Sequence, residues 1–286
     1  MSPFALEGIA KAYWQGEGKS FVGGVGKGAF KETFHIRNKD GQSEALKIYN
    51  PGSSAQRSER EISAIQRCDH PNIVRLTSVE LFEWKGSKYL VTREEFISGG
   101  TLTSRVLGSG LLTPDQAQDL ASALIGAVSH IASLHLVHRD LKPDNIMLRD
   151  GGLSPTIVDF GLVRDLRETS LTHTFALQGP GTPLFAPAEQ LINEKQLIDW
   201  RSDQFSLAVL LSYVTFGFHP YSFEKDTNAE IIQRVATRGP LADRFVQQAT
   251  NSRLASLIKM ASPWPVQRYR TPRMLEQAWQ EQRKAI

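Results

Sequence analysis

The sequence predicts an α+β fold: a smaller, mostly-β first part carrying one helix, then a larger, mostly-α part. Three observations carry this. Short β-type runs crowd the first hundred residues: Phe21-Val22, Thr33-Phe34-His35-Ile36, Ala45-Leu46-Lys47-Ile48 and Tyr89-Leu90-Val91. Later, Ala117, Leu120, Ala121, Leu124, Val128, Ile131 and Ala132 recur at helical spacing. Farther on, Phe205 to Phe216 is apolar almost all round, the pattern of a helix buried on every side. Strand runs followed by helix runs mark α+β architecture. A length of 286 residues suits one large domain or two small ones.

The elements follow in order. Gly26-Lys27-Gly28-Ala29-Phe30-Lys31-Glu32-Thr33 lies between two strand-like runs. Two glycines there let a backbone approach phosphate oxygens closely, with N–H groups turned inward. Alone the signal is weak, because Gly23-Gly24-Val25-Gly26 reads equally well as a hairpin turn. Lys47 has apolar neighbours on both sides, which aims it at something buried rather than at solvent. Ser58 to Arg67 reads as a helix with Ile62 and Ile65 on its apolar stripe and Glu61 beside it. By itself Glu61 is better explained as a surface residue, or as the partner of Ser58 in a capping box. Thr113-Pro114-Asp115 is a helix start: a cap, a proline at the first position and an acid in the first turn. The Phe205–Phe216 run, broken by Ser206, Ser212 and Thr215, is too short to span a bilayer.

The chemistry concentrates in His138-Arg139-Asp140-Leu141-Lys142-Pro143-Asp144-Asn145 and Asp159-Phe160-Gly161. Together they offer two carboxylates and a carboxamide on neighbouring loops. One carboxylate can take a proton from an attacking hydroxyl, and the other two groups can hold Mg²⁺. Phosphoryl transfer needs that inventory and little covalent work from the protein.

These two segments resemble the catalytic loop and metal-binding turn of the eukaryotic-type protein kinases. The resemblance extends over roughly residues 20 to 280, through His70-Pro71-Asn72-Ile73-Val74 and Gly181-Thr182-Pro183-Leu184-Phe185-Ala186-Pro187-Ala188-Glu189. It implies a two-lobed fold, residues 1–97 mostly sheet and 98–286 mostly helix, that is little more than a catalytic domain. It implies ATP and Mg²⁺ as cofactors. Gly26, Lys27, Gly28 and Thr33 would cover the phosphates. Lys47 would grip them and pair with Glu61, with Glu59 as the fallback, so that a methionine at 47 costs turnover and little stability. Ala45, Met147 and the backbone of Glu95 to Ile97 would hold adenine. Asp140 would orient and deprotonate the acceptor hydroxyl, Lys142 would steady the γ-phosphate, and Asn145 and Asp159 would bind metal. Asp203 would anchor the catalytic loop, and Glu189 would pair with Arg268.

Lys142 and Thr182 match the serine/threonine branch, which implies a protein substrate with a serine or threonine acceptor. Arg139 implies control by a phosphate on the loop from 162 to 180, with Thr169, Ser170, Thr172 and Thr174 as acceptors and Thr172 or Thr174 best placed. The chain departs from the family at three points. Lys31 replaces the third glycine of the phosphate loop. Glu94 stands just before the hinge where an apolar or small residue is usual, so either the register slips by one or the pocket's back is polar. Proline and alanine are exchanged at 187 and 188. These departures keep a non-catalytic, nucleotide-binding scaffold in view. A small-molecule phosphotransferase fits less well, because Arg139 and Lys142 depart from its usual pattern.

Composition sets outer limits. Thirty-three Lys and Arg against 30 Asp and Glu, with no dense cationic run, do not imply nucleic-acid binding. The single Cys68 excludes an internal disulfide and a cysteine-rich metal site, and the seven histidines show no ligand spacing. No basic segment leading into an apolar stretch opens the chain, and no span is evident, so the cytoplasm is the expected location.

Overall fold

The computed structural model describes residues 4–51, 55–149, 152–167 and 182–284. The chain divides into two compact units, Met1–Asp69 with Val74–Ile97, and His70–Ile73 with Ser98–Ile286. His70–Ile73 belongs to the second unit because Asn72 is bonded into it. Its carbonyl accepts from Ile157 N at 2.8 Å, and its Nδ2 donates to Pro155 O at 2.7 Å.

The first unit is an antiparallel sheet of β1 (Ser20–Lys27), β2 (Lys31–Arg37), β3 (Ser43–Tyr49), β4 (Leu76–Trp84) and β5 (Ser87–Glu95), ordered β1-β2-β3-β5-β4. Side chains alternate across a strand, and β2 shows the consequence. Glu32, Phe34 and Ile36 are buried on one face, while Lys31, Thr33 and His35 lie on the other. The apolar face, completed by Leu46, Ile48 and Val91, packs against Leu6, Ile9, Ala10 and Trp14 of the α1 region (helix Glu7–Tyr13). Neither α1 nor β4 was expected from the sequence. Glu32 is the charged exception on the apolar face. Its carboxylate accepts from the backbone N–H groups of Ala5 (3.0 Å) and Leu6 (2.8 Å), which open α1 and have no helical partner. The glycines at 23, 24 and 26 are not a hairpin turn: β1 runs through them, with register shifts at two points. Gly24 cannot carry a side chain, since a Cβ there would sit 2.2 Å from the Phe4 ring. The turn itself is residues 28–30, closed by Gly28 N donating to Lys31 O at 2.9 Å. Helix α2 (Ala55–Arg67) buries Ile62 and Ile65 as expected.

The second unit is mostly helical: α3 (Leu102–Ser109), α4 (Pro114–Ser133), α5 (Thr182–Phe185), α6 (Ala188–Leu191), α7 (Trp200–Phe216), α8 (Asn228–Ala236), α9 (Asp243–Asn251), α10 (Ser256–Met260) and α11 (Pro272–Lys284). Two short ribbons, β6 (Leu136–Val137) with β9 (Arg164–Asp165) and β7 (Ile146–Arg149) with β8 (Ser154–Ile157), support its loops. The start of α4 is the expected one: Thr113 and Gln116 form a reciprocal capping box with Pro114 in the first turn. Helix α7 is buried nearly throughout, is capped by the Asp199 side chain on Arg201 N at 2.8 Å, and ends at Gly217 with φ 78°. Among the described residues no helix is long and apolar enough to cross a membrane.

Packing around α7 makes a pH dependence. His219 is 1 % exposed; its Nε2 contacts Leu184 O at 2.9 Å and its Nδ1 accepts from Tyr221 N at 3.0 Å. These bonds suit the neutral ring with its proton on Nε2, and burial, helped by nearby Arg234, lowers its pKa to about 4. The unfolded ring takes a proton near the ordinary 6.5. Stability from this site is therefore present above pH 6.5 and lost as pH falls towards 4. The loss is up to about 3 kcal/mol for a shift of this size. Unfolding of wild type between pH 4 and 7 should accordingly be steeper in pH than that of His219→Gln; equal slopes would show that His219 carries none of the effect.

Candidate active site

The catalytic segment leaves β6 and is pinned from below by α7. Asp203 accepts from His138 N at 2.8 Å and Arg139 N at 2.9 Å, one bond to each carboxylate oxygen. Complete burial pushes the Asp203 carboxyl up to about 7, with those two backbone bonds and Arg139 pulling the other way. Arg139 takes φ 69°, a conformation that costs a non-glycine residue energy, and its carbonyl is held by Gln190 Nε2 at 3.0 Å. The His138 ring is fully buried against Phe160 at 4.8 Å, edge to face, and burial lowers its pKa to about 4, so it is neutral. Its Nδ1 accepts from Asp140 N at 3.3 Å. The tight turn thus presents Asp140 from a fixed backbone.

Asp140, Lys142 and Asn145 come together. Lys142 Nζ lies 2.9 and 3.2 Å from the two Asp140 oxygens. Asn145 Nδ2 donates to Asp140 Oδ2 at 2.9 Å and to Asp140 O at 2.8 Å. Burial raises the Asp140 carboxyl above its ordinary value, and Lys142 is the main force opposing the rise. The Asn145 bonds use its amide nitrogen, so its Oδ1 is outside them. Asp159 takes φ 64°, and its Oδ1 accepts from Gly161 N at 3.1 Å. Met147 lies on β7, bridged to Thr101. Among the described residues no three His, Cys, Asp or Glu side chains gather into a metal cage. A carboxylate and a carboxamide oxygen, completed by phosphate oxygens, are the hard donor set that suits Mg²⁺.

In the first unit, Gly26 pairs with Thr33 and Lys27 with Glu32 across the β1–β2 ladder, so these residues flank the 28–30 turn. Ala45 stands opposite Glu94, and Glu95 is the last ladder residue of β5. Ile97 lies beyond it, where backbone groups are outside the sheet's bonds. Glu94 is a residue of the β5 ladder and is 2 % exposed.

The expected pairing of Lys47 with Glu61 is corrected. Lys47 Nζ donates to both oxygens of Glu94, at 2.7 and 2.6 Å. Glu61 instead binds Lys31 Nζ. Glu59 is exposed and is no substitute. Ser58 lies inside α2, not at its start, so Glu61 is not a capping-box residue either. The physical reason is proximity across strands: Glu94 is the nearest carboxylate on the same face as Lys47, and a buried ammonium takes the nearest counter-charge. Lys47→Met would therefore strand a buried carboxylate, which costs about 3–5 kcal/mol in such pairs, contrary to the expectation of little lost stability. Lys31 and Glu94, two of the three departures from the family pattern, are the partners that the local sequence does not assign.

A protein kinase domain model matches residues 20–280. The chain belongs to the protein kinase family. It is 31% identical over 218 residues to myosin light chain kinase A of Dictyostelium discoideum, covering 74% of this chain and 70% of that protein. It is 32% identical over 265 residues to CBL-interacting serine/threonine-protein kinase 19 of Arabidopsis thaliana, covering 89% of this chain and 51% of that protein. It is 30% identical over 264 residues to CBL-interacting protein kinase 5 of Oryza sativa subsp. japonica, covering 89% of this chain and 54% of that protein. The kinase thus spans about half the length of the two plant relatives.

Elsewhere in this kinase domain, Glu189 and Arg268 form the expected pair at 2.6 Å, both side chains fully buried. Ser202 Oγ adds a third bond, to Glu189 Oε1 at 2.9 Å. The exchange at 187 and 188 is accommodated because Pro187 caps α6 with φ −72°, where a helix needs no N–H, and Ala188 is buried behind it. Gly181, Thr169, Ser170, Thr172 and Thr174 lie outside the described residues, and so does the Thr182 side chain.

Proposed function

We propose that this kinase domain is an active, ATP- and Mg²⁺-dependent protein serine/threonine kinase. The observation that supports it is the assembled Asp140, Lys142 and Asn145 group on a loop pinned by Asp203. Asp140 accepts the proton of a serine or threonine hydroxyl and orients its oxygen for in-line attack. Lys142 holds Asp140 and offers its charge to the transferring phosphoryl group. The bond that forms joins the acceptor oxygen to the γ-phosphorus; the bond that breaks frees ADP. Mg²⁺, when bound by Asn145 and Asp159, neutralises charge on the phosphate oxygens. The backbone of Glu95 to Ile97 takes the adenine edge, beside Ala45 of the same sheet. On this reading the kinase acts on protein substrates in the cytoplasm.

The test is transfer of labelled γ-phosphate to protein, against a small-alcohol acceptor, over a Mg²⁺ titration. Asp159→Ala and Asn145→Ala should each raise the Mg²⁺ requirement, Asp159→Ala the more, since a carboxylate brings a full charge to a hard cation and a carboxamide only a dipole. An unchanged Mg²⁺ dependence in Asp159→Ala would remove the metal assignment. Wild type that binds ATP but transfers nothing would favour the scaffold reading.

Regulation follows from Arg139. Its guanidinium is buried beside Arg164, and burial and that neighbour together lower its pKa to about 10. Its Nε has no hydrogen-bond partner. A phosphate on the loop after Asp159 would supply charge-assisted hydrogen bonds to such a group. Phosphorylation at Thr172 or Thr174 is expected to raise activity. Mass spectrometry of active enzyme and assay of the Thr172→Ala/Thr174→Ala variant check this; full activity with no phosphate on the loop would refute it.

A further inference from the structure

We propose that Lys31, not Lys47, is the lysine that grips the nucleotide's phosphates, an inference that rests on the kinase reading above. Thr33 stands opposite Lys47 and Lys31 opposite Tyr49 on the β2–β3 ladder; Lys47 stands opposite Thr92 and Ala45 opposite Glu94 on the β3–β5 ladder. Residues that face each other across a ladder share a side, so Lys31, Thr33, Lys47, Tyr49, Thr92 and Glu94 all project from one face. Two residues along a strand is about 7 Å. Relative to Lys47, Glu94 is displaced by that step towards Glu95 and Ile97, and Lys31 by the same step towards the glycine turn. The face therefore has a base end and a phosphate end.

Each lysine is drawn to a different end. Lys47 is turned towards the base end, its ammonium bonded to both oxygens of Glu94, with side-chain exposures of 8% and 2%. Lys31 stays at the phosphate end. Its carbonyl closes the turn with Gly28, its ammonium lies 5.4 Å from the centre of the Tyr49 ring, and Glu61 from α2 holds it. A helix glutamate orienting a lysine beside the glycine turn is the arrangement that the resemblance assigns to Lys47, and this chain builds it on Lys31. One substitution introduces a lysine in place of the third glycine; the other, Glu94, neutralises the lysine that has lost the role. The two departures thus have a single explanation.

The experiment compares binding of Mg·ATP with binding of adenosine, which lacks phosphates, alongside turnover. The variants are Lys31→Met and Lys47→Met/Glu94→Met; the latter replaces the whole buried pair with apolar side chains, a change such sites tolerate. Lys31→Met should weaken Mg·ATP about tenfold or more while leaving adenosine binding unchanged. It should also lower turnover about 10²–10³-fold. The Lys47→Met/Glu94→Met variant should keep the preference for ATP over adenosine. The inference is overturned if that variant loses the preference, or if Lys31→Met keeps it; the second result decides even where the double variant does not fold. Wild type that shows no ATP binding or no Asp140-dependent transfer would instead remove the kinase reading itself.

Discussion

Asp140→Asn is expected to lower phosphoryl transfer by about 10²–10⁴-fold, the range a positioned general base contributes. Its unfolding midpoint should stay close to wild type. Asparagine keeps the shape and one acceptor oxygen for Lys142 or Asn145 but cannot take a proton. The backbone bonds that shape the turn come from Asp203, Gln190 and His138, and none depends on the Asp140 charge. The ion pair with Lys142 is partly exposed and contributes little to folding. The raised Asp140 carboxyl adds a sign to the pH profile: the base form is lost as pH falls, so wild-type turnover declines on the acid side. Turnover and thermal unfolding of the same preparation check both halves. Near-normal turnover with an intact fold would exclude Asp140 as the base.

The largest effect on stability belongs to Arg268. All of its donor groups are used: Glu189 takes two bonds (2.6 and 3.3 Å), and the carbonyls of Arg201, Ser262 and Pro263 take the rest at 3.0, 2.9 and 3.4 Å. Arg268→Ala leaves the Glu189 carboxylate buried without its counter-charge, and three carbonyls lose a donor. Breaking one side of such a pair costs about 3–5 kcal/mol, a large part of the ~5–15 kcal/mol that holds a domain together. An unfolding midpoint lower by roughly 10 °C is expected. Lysine should not rescue it, because one ammonium cannot reproduce a planar fork with five donors. Replacing both partners with methionine should cost far less than Arg268→Ala alone. If Arg268→Ala unfolds at the wild-type temperature, the pair is not what joins α6 to the chain before α11.

Much of this protein is legible in short stretches of sequence. The Thr113-Pro114-Asp115 start of α4, the buried run of α7 and the alternation of β2 each need only their own neighbours in the chain. The catalytic segment is legible as eight contiguous residues, although Asp203 and Gln190, more than 50 residues away, hold its turn in shape. Helix α1 gives no signal in the sequence because its 7 residues are too few to show a period, and it is held by packing on the sheet's apolar face and by Glu32, 26 residues away from Leu6.

By itself the sequence determined the α+β class, several of the strands and helices and the residues that could carry phosphoryl transfer, because those signals are local: spacing, caps and contiguous motifs. Which charges meet was decided only by the tertiary structure. Lys31, Lys47, Glu61 and Glu94 can pair in two ways, and nothing within any one segment ranks them. Ladder register does, by setting Glu94 next to Lys47 and bringing Lys31 within reach of Glu61 on a single buried face. A buried charge cannot wait for solvent. Its partner is whichever opposite charge the fold brings within reach, a distance in space and not along the chain.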